Sequence, residues 1–229
     1  MNKKVDILVF GAHPDDIELG VGGIIAASVR SGHKVGLVDL TRGELGTGGD
    51  MKQREQEAKK AAHILNVSNR TNLCLPDRGI EINSSSKLAI IKLIRLAQPQ
   101  LILAPYYKDR HPDHVKTSEL VKNAIFDSGL KKICPQIPVY KPKMLAYYFL
   151  NYDDTPSLIV DVTDFYNIKI EAIDAHQSQF SNGNNSMKDL IVNRDRYYGS
   201  QINTGYGEGL YLPTPLSVTD VLTIWSGII

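Results

Sequence analysis

Through its first half, the sequence alternates between short apolar runs and longer segments with helical spacing. Each short run has the length of a buried strand, and these runs are residues 5–10, 35–40, 71–75 and 100–104. The longer segments read as helices, and they are residues 19–30, 51–65, 87–97 and 114–126. Strands that alternate with helices form a parallel sheet with helices on both faces. The sequence therefore predicts an α/β fold with a mostly parallel sheet.

The second half of the chain is less regular. Residues 144–150 and 158–162 are strand-like, and residues 166–176 and 187–197 are predicted helices. We expect these segments to extend the sheet or cover its edge. Because no internal repeat or long linker divides the sequence, we expect a single domain over residues 1–229.

Composition excludes several classes of protein. Of the 229 residues, 42% are hydrophobic and 22% are charged, and the formal net charge is +1. That balance suits a folded domain and offers no cationic surface for nucleic acid. No stretch approaches the length that spans a membrane. Cys74 and Cys134 lie far apart without metal-type spacing, which indicates free thiols and a cytoplasmic location.

Two nearly identical tetrapeptides follow the first and fourth predicted strands. They are His-Pro-Asp-Asp at 13–16 and His-Pro-Asp-His at 111–114. Open parallel sheets bind ligands beyond the carboxyl ends of their strands. The first and fourth strands can be neighbours in a doubly wound sheet. We therefore expect the two turns to face each other.

The two turns together can hold one metal ion. His13 and Asp16 lie three residues apart on one turn, and His114 could supply a third ligand from the other. Imidazole and carboxylate suit zinc, and a catalytic zinc takes three protein ligands and keeps one position for water; ferrous iron could use the same ligands. The alternative is that Pro-Asp merely starts and caps the next helix, which explains a single copy well. Two copies at converging strand ends favour the metal site.

Two other groups in these turns are candidates for catalysis. Asp15 lies beside a ligand but points elsewhere, so we interpret it as the general base for a water whose pKa zinc lowers to about 7. His111 would lie across the reacting carbonyl as an electrophile or general acid, and Asp113 would orient it.

The paired motifs resemble the signature of the LmbE/PIG-L family of zinc-dependent N-deacetylases, which act on N-acetylglucosaminyl compounds. The likeness extends to residues 54–58 and 172–179. Residues 38–47 and 75–79 most resemble the bacillithiol-biosynthesis deacetylases, which hydrolyse N-acetylglucosaminyl malate to glucosaminyl malate and acetate.

The resemblance implies a Rossmann-like fold and a homo-oligomer, hexameric or trimer-based. It implies zinc ligation by His13, Asp16 and His114. It also implies that Asp15 is the base and returns the proton to the leaving amine, and that His111 stabilises the tetrahedral intermediate while Asp113 holds it.

Five residues are candidates for substrate binding. Glu44 and Asp77 follow the second and third strands and could accept hydrogen bonds from sugar hydroxyls. Arg54 and Arg110 suit the carboxylates of a malate group. Tyr197 belongs to two segments, 194–199 and 205–209, that could form a lid or rim. The alternatives are a solvated loop or turn for the acids, an ion pair or exposed loop for the arginines, and surface packing or a subunit contact for the tyrosine. We interpret His176 as structural rather than as a metal ligand.

Other classes of protein share some of these sequence features. A deacetylase of another N-acetylated sugar would share the same core. A nucleotide-binding Rossmann protein needs GxGxxG after the first strand, whereas Gly11 is followed by Ala-His-Pro-Asp-Asp. A metal-dependent phosphoesterase usually needs more ligands. An inactive sugar-binding module would not need a base beside the metal.

Overall fold

The computed structural model describes residues 4–180 and 186–220, and a seven-stranded sheet organises this part of the chain. Its strands are β1 (Ile7–Gly11), β2 (Val35–Thr41), β3 (Asn69–Leu75), β4 (Leu101–Pro105), β5 (Met144–Tyr148), β6 (Leu158–Asp161) and β7 (Gly207–Tyr211). The strand order is β3-β2-β1-β4-β5-β7-β6. The first five strands pair in parallel, as the sequence predicts.

Helices follow the strands. They are α1 (Asp16–Arg30), α2 (Met51–Ile64), α3 (Ser84–Ala97), α4 (Pro112–Ser128), α5 (Tyr166–Asp174), α6 (Gln177–Phe180) and α7 (Ser186–Gln201). Their starts follow ordinary capping chemistry: Asn83 forms a capping box with Ser86 at α3, and Pro112 occupies the first turn of α4.

The order of the strands reverses between β1 and β4. β1 pairs with β2 on one side and with β4 on the other, in the register Ile7 to Leu101. The chain leaves β1 and β4 at the same edge of the sheet, because the strands are parallel. The turns that carry the two tetrapeptides therefore start side by side, which is where α/β proteins bind their ligands.

Apolar side chains fill both faces of the sheet. Alternate residues of β1 point to opposite sides: Val9 packs with Leu37 and Ile173 on one side, and Phe10 packs with Ile90 on the other. The predicted α/β class with helices on both faces is confirmed. Within the described residues, no helix combines the length and apolar character that a membrane crossing requires.

The segment 205–209, which the sequence allowed as part of a lid or rim, lies mostly in a strand. Residues Gly207–Tyr211 form β7, which pairs antiparallel with both β5 and β6. The strand was missed because alternate glycines weaken the sequence signal for a strand. Gly209 is needed here, since a Cβ atom at this position would lie 2.7 Å from the ring of Tyr198.

A buried group of charges fixes this second half to α1. The helix is interrupted at Val21, and the Glu208 carboxylate accepts hydrogen bonds from the N–H groups of Gly23 (2.9 Å) and Ile24 (2.6 Å) beyond the break. Lys169 Nζ lies 2.6 Å from both the Glu208 and the Asp195 carboxylates. Lys169, Asp195 and Glu208 are called the Lys169 cluster below.

Candidate metal centre and active site

The first turn is held by one of its own carboxylates. Asp16 Oδ2 accepts hydrogen bonds from the backbone N–H groups of Ala12 and His13, both at 2.9 Å. Asp15, which directly precedes Asp16 in the chain, adopts a φ of 128°. This conformation costs energy for any residue other than glycine. The turn thus presents three chemically active side chains within four residues.

The second turn is the start of α4. His111 is the N-cap residue, and its Nδ1 accepts a hydrogen bond from the backbone N–H of Asp113 at 3.2 Å. A neutral imidazole that accepts at Nδ1 carries its proton on Nε2. His111 also lines the pocket described below, so this ring can offer it an N–H donor.

The three predicted metal ligands meet between the turns. Asp16 Oδ1 lies 3.1 Å from His114 Nε2, and Asp16 Oδ2 lies 3.5 Å from His13 Nδ1. All three side chains are buried. A carboxylate therefore lies between two imidazoles that come from opposite turns.

The remaining nitrogen of each imidazole contacts a carboxylate outside the cluster. His13 Nε2 lies 3.2 Å from Asp77 Oδ1 and 3.3 Å from Asp113 Oδ2. His114 Nδ1 lies 3.1 Å from Asp109 Oδ1. Metal-binding histidines characteristically contact a carboxylate through the nitrogen that does not bind the metal, which fixes the tautomer and the ring orientation. The donor set and its surroundings therefore fit a divalent metal such as zinc or ferrous iron.

The same region offers overlapping sets of ligand atoms. Nitrogen atoms of His13, His111 and His114 lie within 4.8 Å of one another, and so do ligand atoms of His13, Asp77 and Asp113. The rings of His111 and His114 stack with centroids 4.8 Å apart. His111 therefore lies beside the two imidazoles that would hold the metal.

Burial and neighbouring charges shift the pKa values of the catalytic candidates. Burial raises the pKa of Asp15 to about 6, against the Arg54 charge that lowers it. Burial, followed by the positive His114 and His13 rings, lowers the pKa of His111. Near neutral pH, Asp15 can accept a proton and His111 is an uncharged donor, which suits the roles of base and electrophile.

The predicted role of Asp113 needs correction. Its carboxylate does not hold His111: Asp113 Oδ2 lies near His13 Nε2 and accepts from the backbone N–H of Arg78 at 2.8 Å. The hydrogen bond from Asp113 to the His111 ring comes from its backbone N–H. The reason is geometric, since a residue in the first turn of a helix offers its N–H to the N-cap side chain.

Sequence reasoning missed Asp109 and Asn151. Asp109 accepts hydrogen bonds from the N–H of His111 (2.7 Å) and from the backbone (3.1 Å) and side chain (2.8 Å) of Asn151, besides contacting His114. A single aspartate two residues before a motif carries no pattern of its own. Its contacts depend on the meeting of β4 with β5, which the sequence does not encode locally.

A pocket of about 350 Å³ opens onto the cluster. His13, Asp15, Asp16, His111 and His114 line it. Its rim includes Leu45, Arg78, Arg110, Asn151 and Gln179. Arg78, Leu45 and Gln179 were not predicted, because rim residues come from separate loops without a shared motif.

Both predicted arginines line the pocket, but their hydrogen bonds differ. Arg110 lines the pocket, and its Nε donates to Asn151 Oδ1 at 3.1 Å. Arg54 is only 4% exposed, and it donates to the carbonyl oxygens of Gly43 (2.7 Å) and Pro14 (2.9 Å). Its Nη2 also lies 3.6 Å from Asp15 Oδ2. Arg54 therefore supports the turn that carries Asp15, and it also lines the pocket.

The other predicted substrate-binding residues also differ from one another in their position relative to the pocket. Glu44 Oε1 accepts from the N–H of Asp77 at 2.9 Å, and Asp77 Oδ2 accepts from the N–H of Leu45 at 3.0 Å. This exchange joins the loops after β2 and β3 at the pocket. Tyr197 lies outside the pocket, beside Asp153. His176 is fully buried, with Nε2 3.4 Å from Glu18, which fits its structural interpretation.

The chain matches one family model and several known proteins. The family model described as PIG-L, GlcNAc-PI de-N-acetylase, matches residues 8–125. Diacetylchitobiose deacetylase of Thermococcus kodakarensis is 28% identical over 91% of this chain and 83% of its own length. A Bacillus anthracis protein named "Probable N-acetyl-alpha-D-glucosaminyl L-malate deacetylase 2" is 28% identical over 79% of this chain and 84% of its own. The crystal structure of the conserved protein TT1542 from Thermus thermophilus is 33% identical, covers 95% of this chain and 98% of its own, and superposes with a TM-score of 0.89.

Fold, site and relatives together define an enzyme of the deacetylase class, a hydrolase of amide bonds. The chain belongs to the PIG-L family of de-N-acetylases.

Proposed function

We propose that the protein hydrolyses the N-acetyl group of an N-acetylglucosaminyl conjugate, with a zinc ion held by His13, Asp16 and His114. One observation carries the proposal. Two imidazoles share the Asp16 carboxylate, and each contacts an outer carboxylate through its other nitrogen, next to a pocket lined by Asp15 and His111.

N-acetylglucosaminyl malate is the substrate that we propose first. Relatives are named for a sugar malate and for diacetylchitobiose, so an N-acetylated glucosamine is the shared part. Arg78 and Arg110 line the pocket. Arg110 donates a hydrogen bond to Asn151 through Nε. Guanidinium groups suit the two carboxylates of malate. A place in bacillithiol biosynthesis would follow from that substrate.

The chain's own residues account for the proton transfers. Zinc in such a site supplies Lewis acidity and makes water acidic enough to react near neutral pH. Asp15 takes a proton from the attacking water, whose oxygen forms a bond to the acetyl carbon. His111 Nε2–H donates to the carbonyl oxygen as negative charge develops there. Asp15 then gives its proton to the amine nitrogen as the C–N bond breaks, and acetate and the free amine leave.

Acetate release from a small panel tests the proposal. Zinc-loaded protein is incubated with N-acetylglucosaminyl malate, N-acetylglucosamine and N,N′-diacetylchitobiose. We expect acetate from all three and the highest kcat/KM for the malate conjugate. Arg110→Ala should lower kcat/KM for N-acetylglucosaminyl malate by about tenfold, as loss of one charged hydrogen bond implies. The kcat/KM for N-acetylglucosamine should change little. Absence of acetate from all three would contradict the proposal.

Three further expectations stay predictions from the sequence. They are the single domain over residues 1–229, the cytoplasmic location, and the hexameric or trimer-based assembly. Size-exclusion chromatography with light scattering checks the last of these directly.

A further inference from the structure

Three tyrosine rings line a hollow of about 510 Å³ beside α4, which is called the tyrosine hollow below. Tyr107 follows β4, Tyr147 lies in β5 and Tyr211 ends β7. The ring centroid of Tyr107 lies 5.5 Å from that of Tyr147 and 5.8 Å from that of Tyr211, both in edge-to-face contact. The rest of the lining comprises Val115, Ser118, Glu119, Lys122 and Pro213. A cavity of this size with aromatic walls is suited to binding a large apolar side chain.

The aromatic wall of the tyrosine hollow is held in place but is partly uncovered. Tyr107 is 37% exposed, whereas Tyr147 is only 2% exposed. Tyr106 packs against Tyr107 with ring centroids 4.6 Å apart, and the Tyr106 hydroxyl donates to Asp154 at 2.8 Å. The wall is therefore formed before anything binds to it, which lowers the entropic cost of binding.

The chain itself passes the tyrosine hollow after β7. The N–H of Leu212 donates to the Ser157 hydroxyl at 3.0 Å, and the next residue, Pro213, lines the hollow. Residues 213–220 are exposed throughout, and they include Leu216 and Val218. The chain is therefore anchored at the edge of the hollow and carries uncovered apolar side chains from that point onward.

The sequence of the next segment, 221–229, contains large apolar residues and no charged one. The apolar residues are Val221, Leu222, Ile224, Trp225, Ile228 and Ile229. Soluble proteins rarely leave such a stretch in water, because contiguous apolar surface promotes association. Together with Val218, the apolar residues at 221, 222 and 225 follow the spacing i, i+3, i+4 and i+7. That spacing is typical of a segment that docks one apolar face in a groove.

The tether between the hollow and this segment is short. Trp225 follows Pro213 by twelve residues, which span at most about 43 Å when fully extended. A flexible tether of this length keeps the segment at an effective concentration in the range of about 1 mM at the hollow. Modest apolar contact is therefore enough to keep the segment bound, and an aromatic side chain in a pocket is the usual anchor of such a contact.

We propose that the tyrosine hollow is the docking site for segment 221–229 of the same chain, with Trp225 as the side chain that fills it. The uncharged segment matches the aromatic lining, and the indole ring packs edge-to-face against the tyrosine rings. The docked segment contacts α4 at Val115, which directly follows the proposed metal ligand His114. It thereby supports the helix that presents the second His-Pro-Asp turn. The inference does not depend on the proposed function.

Tryptophan fluorescence tests the docking in the full chain, because Trp225 is its single tryptophan. In the folded protein, Trp225 emission should be blue-shifted and protected from acrylamide quenching relative to the urea-unfolded chain. Tyr107→Ala should remove most of this protection, whereas Tyr107→Phe should keep it, because it retains the ring. Tyr152→Ala is the matched control, since Tyr152 is an exposed tyrosine that does not line the hollow. Equal quenching in folded and unfolded protein, or equal loss of protection in Tyr107→Ala and Tyr152→Ala, overturns the proposal.

A double-mutant cycle gives a second measure that does not use fluorescence. Tyr107→Ala should lower the urea midpoint, followed by circular dichroism, less in a Trp225→Ala background than in the wild-type background. Additive shifts in the midpoint would contradict a contact between the two side chains.

Mixed chains distinguish docking within one chain from docking on a neighbouring copy. Tyr107→Ala chains are co-expressed with Trp225→Phe chains, so that each remaining tryptophan belongs to a chain whose own hollow is altered. We expect the tryptophan to stay unprotected in the mixture. Recovery of its protection would show that the segment docks in the hollow of another copy, and it would overturn docking within the chain.

Discussion

Two of the buried charge clusters in the described part of the chain are balanced in different ways. In the Lys169 cluster, one ammonium group lies 2.6 Å from each of two carboxylates, and those carboxylates also accept backbone or tyrosine hydrogen bonds. At the meeting of the two His-Pro-Asp turns, the imidazoles of His13 and His114 are surrounded by four aspartates. The first cluster contains its own cation, and the second contains groups of the kinds that bind metal cations.

The difference separates a structural role from a functional one. The Lys169 cluster joins α1, α5, α7 and β7 and has no part in the catalytic pocket. The surplus of carboxylates at the turns, acting against burial, raises the pKa of His114 to about 9. A divalent cation would satisfy that surplus and displace the protons. Changes in one cluster should therefore affect folding, and changes in the other should affect metal binding and turnover.

The largest effect is expected from the base. Asp15→Asn should lower kcat by about a thousandfold, because general bases contribute roughly 10²–10⁴-fold. Zinc content, measured by elemental analysis, should stay at the wild-type value, since Asp15 is not among the proposed ligands. A variant with normal kcat would remove Asp15 from the mechanism, and a variant that lost zinc would make it a ligand instead.

Lys169→Met should have the opposite effect: it should lower the stability of the fold and leave zinc binding unchanged. Removing the ammonium group leaves two buried carboxylates without their partner, which costs about 3–5 kcal/mol of unfolding free energy. Urea denaturation measures the loss. The double variant Lys169→Met, Glu208→Gln should recover part of the stability, because one uncompensated charge is removed. The zinc affinity of the folded fraction of the variant should be unchanged. A large loss of zinc affinity would show that the two clusters are not independent.

Metal removal should destabilise the wild-type protein. Zinc at one hundred times its dissociation constant adds about 2.7 kcal/mol to the unfolding free energy by mass action. Thermal unfolding with and without a chelator measures this stabilisation by bound zinc. His114→Ala should unfold at the same temperature under both conditions, and a chelator effect that persists there would place the ion elsewhere.

Asp109→Asn changes a carboxylate that contacts the proposed metal ligand His114, and it leaves the ligand itself in place. Removal of a carboxylate that orients a metal-binding histidine weakens metal affinity by about 10–100-fold. Competition with a chromogenic chelator gives the affinity, and urea denaturation of the metal-free protein gives the structural cost. Asp154→Asn, also on a loop and bonded to Tyr106, is the control for loss of an ordinary aspartate contact. Equal zinc affinity in Asp109→Asn and wild type would contradict the role assigned to Asp109.

The sequence predicted those features that follow from local pattern and from general rules of topology. The β–α units of the first half are strongly periodic, and the reversal of strand order between β1 and β4 brings His13 and His114 together. The meeting of the two turns was therefore predictable without any long-range information. The choice of ligand types followed from the residues of the turns themselves.

What the sequence missed depends on tertiary contacts. β7 contains glycines that its packing requires, because a Cβ atom at Gly209 would lie 2.7 Å from the ring of Tyr198 and one at Gly207 would lie 2.6 Å from Ile159. Arg54 was predicted as a substrate-binding residue, but its hydrogen bonds to the carbonyl oxygens of Gly43 and Pro14 were not predicted. Asp109 becomes important only where β4 and β5 meet. Each case involves a partner that is distant in sequence and is not marked by any periodicity.

Elemental analysis of the purified wild-type protein beside Asp16→Asn tests the metal centre directly. We predict about one zinc or iron per wild-type chain, as a single three-ligand site implies. We predict a large loss in the variant, because the carboxylate between the two imidazoles is gone. A wild-type protein that binds no divalent metal after equilibration, or an Asp16→Asn variant that binds it as tightly, would contradict the assignment of this cluster as a metal centre.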